Sequence, residues 1–493
     1  MRFLALALLA LAPAVPAQTR NETHSPLGLS LVVPRSYAPM PVQPTEELVQ
    51  LRYLGRESAR GLRPDLYVVR IPWGEDPDPL PDPPPVHSFA RYLEQRMRPW
   101  SIAETTEKEP IDGWVALEHR LERVEKDERG RRVAPERPSA WAAWALERQD
   151  GFQSYLVLGF CDVRDFDQEV KRWRQVAQKL AFFAPTAAAE EEKWARYYRF
   201  HPEFRNGELR TRMRSRLLDG WGWEDTPNYV LLTNSDKAML IRDLQKKLEG
   251  IRKYYLERFP PVAEITALAT VRVCKDRDEY IEYGGWPESG GYWNPLAREL
   301  VFYDGGKEDT RIVLYHEAFH QYVYYAVGEV RPHPWFNEGY GDYFSGAEFN
   351  TYGDVLRMRL NPWRTNQLQS LIGQHPSWAE LIRMEQAEFM TLDPGRNYQM
   401  AWSMVYFLEE AKAVEKNPRW ARILPTYYET LKTAFTEERR QLSLASQADD
   451  PAELEVASAR ARARAVQAAF EGVDLHEIEF AWIQFLRELK LPK

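Results

Sequence analysis

One short segment constrains this chain more than any other: residues 313–321, Val-Leu-Tyr-His-Glu-Ala-Phe-His-Gln, contain the pattern H-E-x-x-H. His316 and His320 are four residues apart, so on a helix they share a face, roughly 6 Å apart between Cβ atoms. Two imidazoles at that spacing can bind one zinc ion. The neighbouring residues are apolar, which is typical of a helix buried in a folded domain. The segment therefore predicts a buried helix that carries a metal site.

Carboxylates at fixed distances from this pair complete the predicted site. Glu317 lies beside the imidazoles, where a general base can activate a metal-bound water without itself binding the metal. A catalytic zinc needs a third protein ligand, and Glu338, 18 residues after His320, fits a turn and a return helix. Asp342, one turn later, could accept the second N–H of a ligand His. We predict one zinc per chain, bound by His316, His320 and Glu338.

The same residues have alternative interpretations that the sequence leaves open. His316 and His320 could be two buried side chains of a structural helix. Glu338 could be an acidic residue at a helix start, stabilised by the helix dipole. Glu380 or another later acid would then be the rival ligand. His333 stands between two prolines, which indicates a loop residue and not a ligand.

Composition excludes several other classes of protein. The chain has 493 residues, 44% of them hydrophobic and 28% charged, which is typical of folded proteins with two or three domains. A net charge of −8 argues against binding to nucleic acid. The two cysteines, Cys161 and Cys274, exclude a disulfide scaffold, an iron–sulfur cluster and an all-thiolate zinc site. The sequence does not decide whether these two thiols are paired.

The start of the chain is typical of a secretory signal peptide, which we place at residues 1–17. Arg2 precedes an apolar run at residues 3–12, and small residues precede a predicted cleavage before Gln18. An uncleaved anchor is the alternative. The run is too short to span a bilayer, and no later segment is long and apolar enough. We expect an exported protein, periplasmic or extracellular, whose mature chain has no membrane span.

Hydrophobic patterning predicts an α+β, multidomain fold. Residues 18–185 alternate short strands with amphipathic helices, which predicts an α+β sheet domain. Residues 186–228 are first rich in Ala and Glu and then basic and aromatic, which indicates a linker. Residues 229–493 begin with an α/β arrangement of strands and a long helix capped by Ser235, and from residue 310 the pattern is helical.

The individual elements follow from the same patterns. The predicted strands are residues 28–34, 48–54, 66–72, 114–124, 140–148, 153–161, 229–234, 270–274 and 299–303. The predicted helices before the metal helix are residues 86–97, 166–183 and 236–259. The opening strand at residues 28–34 and the order of elements in the first domain resemble the PsbP protein of the photosystem oxygen-evolving complex and its relatives.

The metal-site pattern resembles the gluzincins, the thermolysin-like zinc metallopeptidases, in its H-E-x-x-H and in the carboxylate 18 residues later. The sequence of residues 316–321 and 334–344 is most similar to that of a bacterial family of secreted gluzincin-like domains of unknown function. This resemblance covers about residues 229–493 and implies an α/β lobe, the metal helix and then an α-helical lobe. It also implies that residues 299–303 form the edge strand that aligns peptide substrates. Ala318 departs from the commonest signature, which has a larger apolar residue there.

The resemblance further implies an oxyanion donor in the helical lobe. Gluzincins commonly supply a phenol or imidazole downstream of the third ligand. Tyr398 is the corresponding candidate, at the head of a predicted helix over residues 401–410. Arg396, Tyr340 and Tyr343 are its rivals.

Taken together, the sequence predicts a secreted zinc metallopeptidase that hydrolyses peptide bonds in peptide or protein substrates, with Glu317 as its base. One alternative is a catalytically silent scaffold or binding protein that keeps the fold and the metal. Another is a non-peptide amide hydrolase with the same site. Glu317 favours the peptidase, because a degenerate relative often loses the base. Substrate preference and oligomeric state do not follow from the sequence.

Overall fold

The computed structural model describes residues 19–489 apart from gaps at 41, 43–45, 47, 75–84, 127–131, 134–138, 186, 216, 218–219, 296, 306–307, 366–370, 374 and 445–450. The predicted signal peptide lies outside these described residues. The chain folds into two compact units that divide between Glu190 and Glu191. Both contain sheets and helices, so the fold is α+β, as predicted.

The first unit is built on an antiparallel sheet. Its strands are β1 (Thr19–His24), β2 (Leu29–Pro34), β3 (Ala38–Met40), β4 (Val49–Leu54), β5 (Asp65–Pro72), β6 (Trp100–Ile111), β7 (Trp114–Arg123), β8 (Glu125–Lys126), β9 (Arg132–Val133), β10 (Trp141–Gln149), β11 (Gln153–Asp162) and β12 (Ala181–Phe182). Seven of these strands pair in the order β3-β4-β5-β11-β10-β7-β6, and smaller sheets have the orders β1-β2-β12 and β8-β9. A 3₁₀ turn, Ser25–Leu27, joins β1 and β2.

Two helices, α1 (Phe89–Arg96) and α2 (Phe166–Lys179), complete the first unit. Phe89, Tyr92 and Leu93 of α1 are buried with side chains of the seven-stranded sheet in one hydrophobic core. All six strands predicted in this unit are confirmed, whereas β1, β3, β6, β8, β9 and β12 were not predicted. The outer strand β6 is polar and exposed along most of its length, so it lacks the alternation that reveals a strand.

The segment predicted as a linker, residues 186–228, carries secondary structure of its own. It contains α3 (Ala187–Phe200), α4 (Gly207–Ser215) and β13 (Gly222–Asp225). Arg210 is fully buried and donates hydrogen bonds to the carboxylate of Asp225 at 2.5 Å and to a backbone carbonyl of Thr226 at 3.0 Å. The sequence predicted only a linker here, but this guanidinium joins α4 to β13.

The sheet of the second unit has the strand order β13-β14-β15-β17-β16. Here β14 is Tyr229–Thr233, β15 is Ala269–Cys274, β16 is Gly291–Asn294 and β17 is Glu299–Tyr303. Strands β14, β15 and β17 are parallel, and β13 and β16 are antiparallel strands at the two edges. The prediction that residues 299–303 form an edge strand is wrong, because β16 pairs outside them. This four-residue strand was not predicted, because it lies in a glycine-rich stretch that is typical of a loop.

Helices α5 (Ala238–Arg258), α6 (Arg277–Tyr283), α7 (Glu308–Ala326) and α8 (Pro334–Phe344) follow or flank this sheet. The cap of α5 differs from the prediction, since the helix begins after Lys237 and not after Ser235. The Ser235 hydroxyl instead accepts the Lys237 N–H and donates to Asp304 at 3.0 Å, which ties the preceding loop to the end of β17.

The rest of the second unit is mainly helical, as expected, with one exception. A hairpin of β18 (Ala347–Phe349) and β19 (Val355–Met358) interrupts the helices. The helices after α8 are Pro362–Thr365, Trp378–Leu381, Gln386–Thr391, Pro394–Glu410, Lys412–Glu415, Ile423–Leu444, Pro451–Ala469 and Leu475–Glu488, with a 3₁₀ turn at Trp420–Arg422.

Helix α8 lies in the core, with all of its residues buried. Two glycines make this possible. A Cβ at Gly341 would lie 2.8 Å from the ring of His316, and one at Gly339 would lie 2.6 Å from the backbone oxygen of Ala401. Helix α8 can therefore contact both α7 and the helix Pro394–Glu410, where any larger residue would collide.

Across the described ranges, no helix combines the length and the apolar character needed to cross a membrane.

Candidate metal centre

The side chains of the predicted motif lie close together on helix α7. The ring centroids of His316 and His320 are 4.5 Å apart and their planes are nearly perpendicular, at 89°. Ligand-capable atoms of His316, Glu317 and His320 lie within 4.8 Å of one another. Apolar residues on the rest of the helix, such as Leu314 and Phe319, are fully buried and fix its rotation. The structure thus brings together the three motif residues that the sequence predicted.

Glu338 of α8 meets both imidazoles. Its Oε2 atom lies 3.1 Å from Nε2 of His316 and 3.2 Å from Nε2 of His320. Donors bound to a tetrahedral zinc at about 2.0–2.1 Å are separated from one another by roughly 3.3 Å. The two distances from Glu338 to the imidazole nitrogens are therefore close to the separation between zinc ligands. Two imidazole nitrogens and a carboxylate oxygen form a donor set that zinc prefers, so the residues present fit this metal.

The rival ligand Glu380 lies elsewhere. Its side chain accepts the backbone N–H of Ser377 at 2.8 Å and its own N–H donates to the Ser377 hydroxyl at 3.2 Å. These reciprocal bonds form a capping box at the start of the helix Trp378–Leu381. His333 is also away from the site: it directly precedes α8, and its ring nitrogens lie near Tyr427 at 3.2 Å and Glu385 at 3.5 Å.

Asp342 lies behind His316, where the sequence predicted it. Its Oδ1 atom is 3.3 Å from Nδ1 of His316. Arg364 donates to the other carboxylate oxygen at 2.6 Å, and Asn361 donates to the Asp342 backbone oxygen at 3.1 Å. An Nδ1–H that points at Asp342 leaves Nε2 as the free acceptor, which is the tautomer that a metal ligand needs. Arg364 and Asn361 were not predicted, and no sequence signal distinguishes them.

The electrostatics of the cluster favour positive charge. Burial opposes a charge on His316, yet Asp342 and Glu338 outweigh it and raise the pKa of His316 to about 10. Burial likewise opposes ionisation of Glu338, but the two imidazoles hold its pKa well below the usual value. A carboxylate that stays ionised while almost fully buried requires a compensating cation, either a proton on the imidazoles or a metal ion.

His320 is less constrained than His316. Its Nδ1 atom is buried and has no hydrogen-bond partner among the described residues. The structure therefore fixes the ring of one imidazole through Asp342, whereas the second imidazole is held by packing on α7 and by Glu338.

Glu317 has a hydrogen-bond partner of its own, which the other carboxylates of the cluster do not share. Its Oε2 atom accepts the backbone N–H of Trp293, in the edge strand β16, at 2.9 Å. The carboxylate is thereby held beside the His pair by a backbone group of β16. This is the place expected of a base that does not bind the metal, and the Trp293 donor was not predicted.

Tyr398 lies close to the cluster. Its ring centroid is 6.4 Å from that of His316, and the Arg364 guanidinium lies 4.8 Å from the ring. Burial raises the pKa of Tyr398, and the charges of Glu338, Asp342 and Glu317 raise it further. The phenol therefore keeps its proton at neutral pH and can act as a hydrogen-bond donor. Its recorded partner, the sulfur of Met390 at 3.7 Å, is a weak acceptor.

The rival donors are engaged elsewhere. Tyr340 donates to Glu409, and Tyr343 donates to Glu410 at 2.7 Å. Arg396 pairs with Asp393 at 3.2 Å. Of the three tyrosines, Tyr398 is the one whose hydroxyl has no strong acceptor as its partner.

The two cysteines take no part in this site. Cys161 and Cys274 are both free and buried. Burial raises the pKa of Cys161 to about 12, so this thiol is not reactive at neutral pH.

Comparisons with known proteins give little beyond this geometry. No family model matches the chain, and no curated protein matches it. The solution structure of cyanobacterial PsbP (CyanoP) from Synechocystis sp. PCC 6803 is similar at 10% identity and a TM-score of 0.25, covering 36% of this chain and 99% of that chain. A crystal structure from Bacteroides thetaiotaomicron VPI-5482 is similar at 8% identity and a TM-score of 0.21, covering 42% of this chain and 81% of that chain. Likenesses of this size carry no argument about function.

Proposed function

We propose that this chain is an exported zinc-dependent metallopeptidase with one zinc ion held by His316, His320 and Glu338. The observation that supports this most directly is the approach of one Glu338 oxygen to both imidazole nitrogens, at 3.1 and 3.2 Å. When bound there, zinc supplies Lewis-acid polarisation of a peptide carbonyl.

Glu317 and Tyr398 have complementary roles in this proposal. The Glu317 carboxylate accepts the proton of the attacking water and returns it to the leaving amine. The Tyr398 hydroxyl donates a hydrogen bond to the oxygen on which negative charge develops. The two groups are suited to these roles because one is a carboxylate held beside the metal ligands and the other is a phenol that keeps its proton.

The peptide substrate binds along β16 in this proposal. Among the described residues this strand pairs with β17 alone, so its other edge can accept an added strand. The Trp293 N–H faces away from β17, toward Glu317. A peptide extended along this edge therefore passes directly in front of the proposed base.

Metal analysis combined with a peptide-library digest tests the proposal. The mature chain, residues 18–493, should contain one zinc and cleave peptides. Glu317→Gln keeps the shape of the side chain but cannot accept a proton. It should retain zinc and lose hydrolysis by about 10²–10⁴-fold.

Other results would contradict the peptidase. A wild-type chain without stoichiometric metal after zinc supplementation would leave a structural helix. Bound zinc without peptide cleavage would leave a scaffold or a non-peptide amide hydrolase. Full activity in Glu317→Gln would move the base role to another residue.

A further inference from the structure

A cavity of about 590 Å³ lies farther along α7 and is lined by Tyr324, by residues between α7 and α8, and by three later helices. Tyr324 follows Glu317 by seven residues, so it lies two turns later on the same face, about 10.5 Å along the helix axis. Trp293, whose N–H binds Glu317, has its ring centroid 6.4 Å from that of Tyr324. The cavity is therefore reached along the same face of α7 as the proposed base.

One end of this cavity carries a net negative charge. The buried guanidinium of Arg462 lies 2.9 Å from a carboxylate oxygen of Glu385 and 3.0 Å from one of Glu455. Two carboxylates on one guanidinium leave no positive charge there for a ligand.

The end next to Tyr324 is different, because three arginines and one carboxylate surround this residue. Glu329 lies 3.9 Å from Arg298 and 4.0 Å from Arg439, both long for an ion pair. Arg331 is exposed and forms no ion pair within the described part of the chain. Arg331 and Arg439 line the cavity and Arg298 lies next to Glu329, so three guanidinium groups and one carboxylate give this region a net charge of two positive units. We call Arg298, Arg331 and Arg439 the arginine corner.

The surroundings of the Tyr324 hydroxyl show how close these charges are. Burial raises the pKa of Tyr324, and Glu329 adds to that effect. The three residues of the arginine corner oppose it. The phenol thus lies within the field of all three guanidinium groups, in the lining of a cavity large enough to hold a side chain.

We propose that the arginine corner binds a carboxylate of the peptide substrate, so that the enzyme prefers peptides with an acidic group about three residues from the cleaved bond. This inference rests on the proposed peptidase function. An extended peptide advances about 3.3 Å per residue, so the 10.5 Å between Glu317 and Tyr324 corresponds to about three residues. Guanidinium groups match carboxylates because they donate two parallel hydrogen bonds. The carboxylate belongs either to an Asp or Glu side chain or to the C-terminus of the peptide.

Matched peptides test this inference. In the first set, two peptides differ only by Asp or Asn at the position three residues from the cleaved bond, and this comparison is made once on each side of the bond. In the second set, two peptides differ only by a free or an amidated C-terminus. We expect kcat/KM to be on the order of tenfold higher for the acidic member of one pair, mainly because its KM is lower. This preference for the acidic peptide should decrease as salt is added. The pair that shows the difference identifies the source of the carboxylate.

Substitutions locate the effect. Arg331→Ala should abolish the preference, and Arg331→Glu should reverse it toward peptides with Lys at that position. Arg440→Ala is the matched control, because Arg440 is the next residue on the helix of Arg439 but pairs with Glu437 at 2.9 Å and does not line the cavity. Equal loss of preference in Arg440→Ala and Arg331→Ala would overturn the inference.

Binding without turnover separates this inference from the proposed function. Calorimetry with the metal-free mature chain measures the affinity for the same peptides directly. If no peptide is cleaved but the acidic peptide binds more tightly and Arg331→Ala abolishes that difference, the peptidase fails and the arginine corner stands. Equal binding and equal cleavage of acidic and neutral peptides would overturn the inference while the peptidase stands.

Discussion

Nδ1 of His316 lies 3.3 Å from a carboxylate oxygen of Asp342, which Arg364 in turn holds at 2.6 Å. The imidazole is thereby oriented from behind, and its Nε2 atom faces Glu338 at 3.1 Å. One charged row, from Arg364 through Asp342 and His316 to Glu338, crosses three segments of the second unit. Its alternating charges explain why two carboxylates can be buried so close together.

The first prediction is that zinc binding releases protons. The pKa of His316 is raised from 6.5 to about 10 in the metal-free chain, because Asp342 and Glu338 outweigh the effect of burial. His316 therefore carries a proton at pH 7.5, which must leave before Nε2 can bind zinc. We expect zinc binding at pH 7.5 to release about one proton from this residue, and the apparent zinc affinity to rise as the pH increases toward 10.

Calorimetry in buffers of different ionisation enthalpy measures this proton release. Asp342→Asn keeps the shape of the side chain and removes its charge, so it should release fewer protons and weaken zinc binding by about 10–100-fold. A binding heat that does not depend on the buffer would contradict the prediction.

Removal of a ligand should remove the metal. We expect His320→Ala to lose its zinc, because two remaining ligands do not hold the ion and the ionised Glu338 loses a partner. Metal analysis after dialysis measures the zinc content, and circular dichroism checks the fold. His375→Ala is the control, since His375 lies against Glu479 at 3.4 Å and Trp482, away from the site. Stoichiometric zinc in His320→Ala would exclude that residue as a ligand.

The phenol of Tyr398 should matter for turnover and not for the metal. Loss of one oxyanion donor costs roughly 2.7–4 kcal/mol of transition-state stabilisation. Tyr398→Phe should thus lower kcat about 10²–10³-fold, with zinc content and KM nearly unchanged. Tyr343→Phe, which removes a hydroxyl that donates to Glu410, should lose stability but keep turnover. Wild-type kcat in Tyr398→Phe would leave Tyr398 as a packing residue.

The backbone donor of β16 can be tested with two substitutions at one position. Trp293→Ala removes the indole and keeps the N–H that binds Glu317, whereas Trp293→Pro removes both. Proline is tolerated on an edge strand where the N–H faces away from the ladder. A hydrogen bond to a charged group contributes about 1.5–3 kcal/mol, so kcat/KM should be about 10–100-fold lower for the Pro variant than for the Ala variant. Equal rates, at equal zinc content, would show that the N–H does not position the base.

The local part of the site followed from the sequence. His316, Glu317 and His320 lie on one helix, so their relative positions depend on helix geometry alone. Glu338 and Asp342 share a second helix and have the same advantage. Their ligand and base roles stay predictions, but the structure does bring all five side chains together.

What the sequence could not supply comes from pairings between distant segments. Arg364 reaches Asp342 only because the hairpin of β18 and β19 returns the chain toward α8. The edge position of β16 depends on which strands pair with each other, and this pairing cannot be read from one amino-acid sequence. The linker prediction failed to anticipate β13 for a related reason: the burial of Arg210 depends on Asp225, 15 residues away.

The packing of α8 against α7 has a consequence for how the protein matures. His316 and Glu338 are only 22 residues apart in the chain, so their pairing needs no distant strand to be in place. Contacts this local form early, because little loop-closure entropy opposes them. If zinc binds this helix pair as we propose, it stabilises the pair from the first stages of folding, and we expect the yield of native protein to increase with the zinc supply where the chain folds.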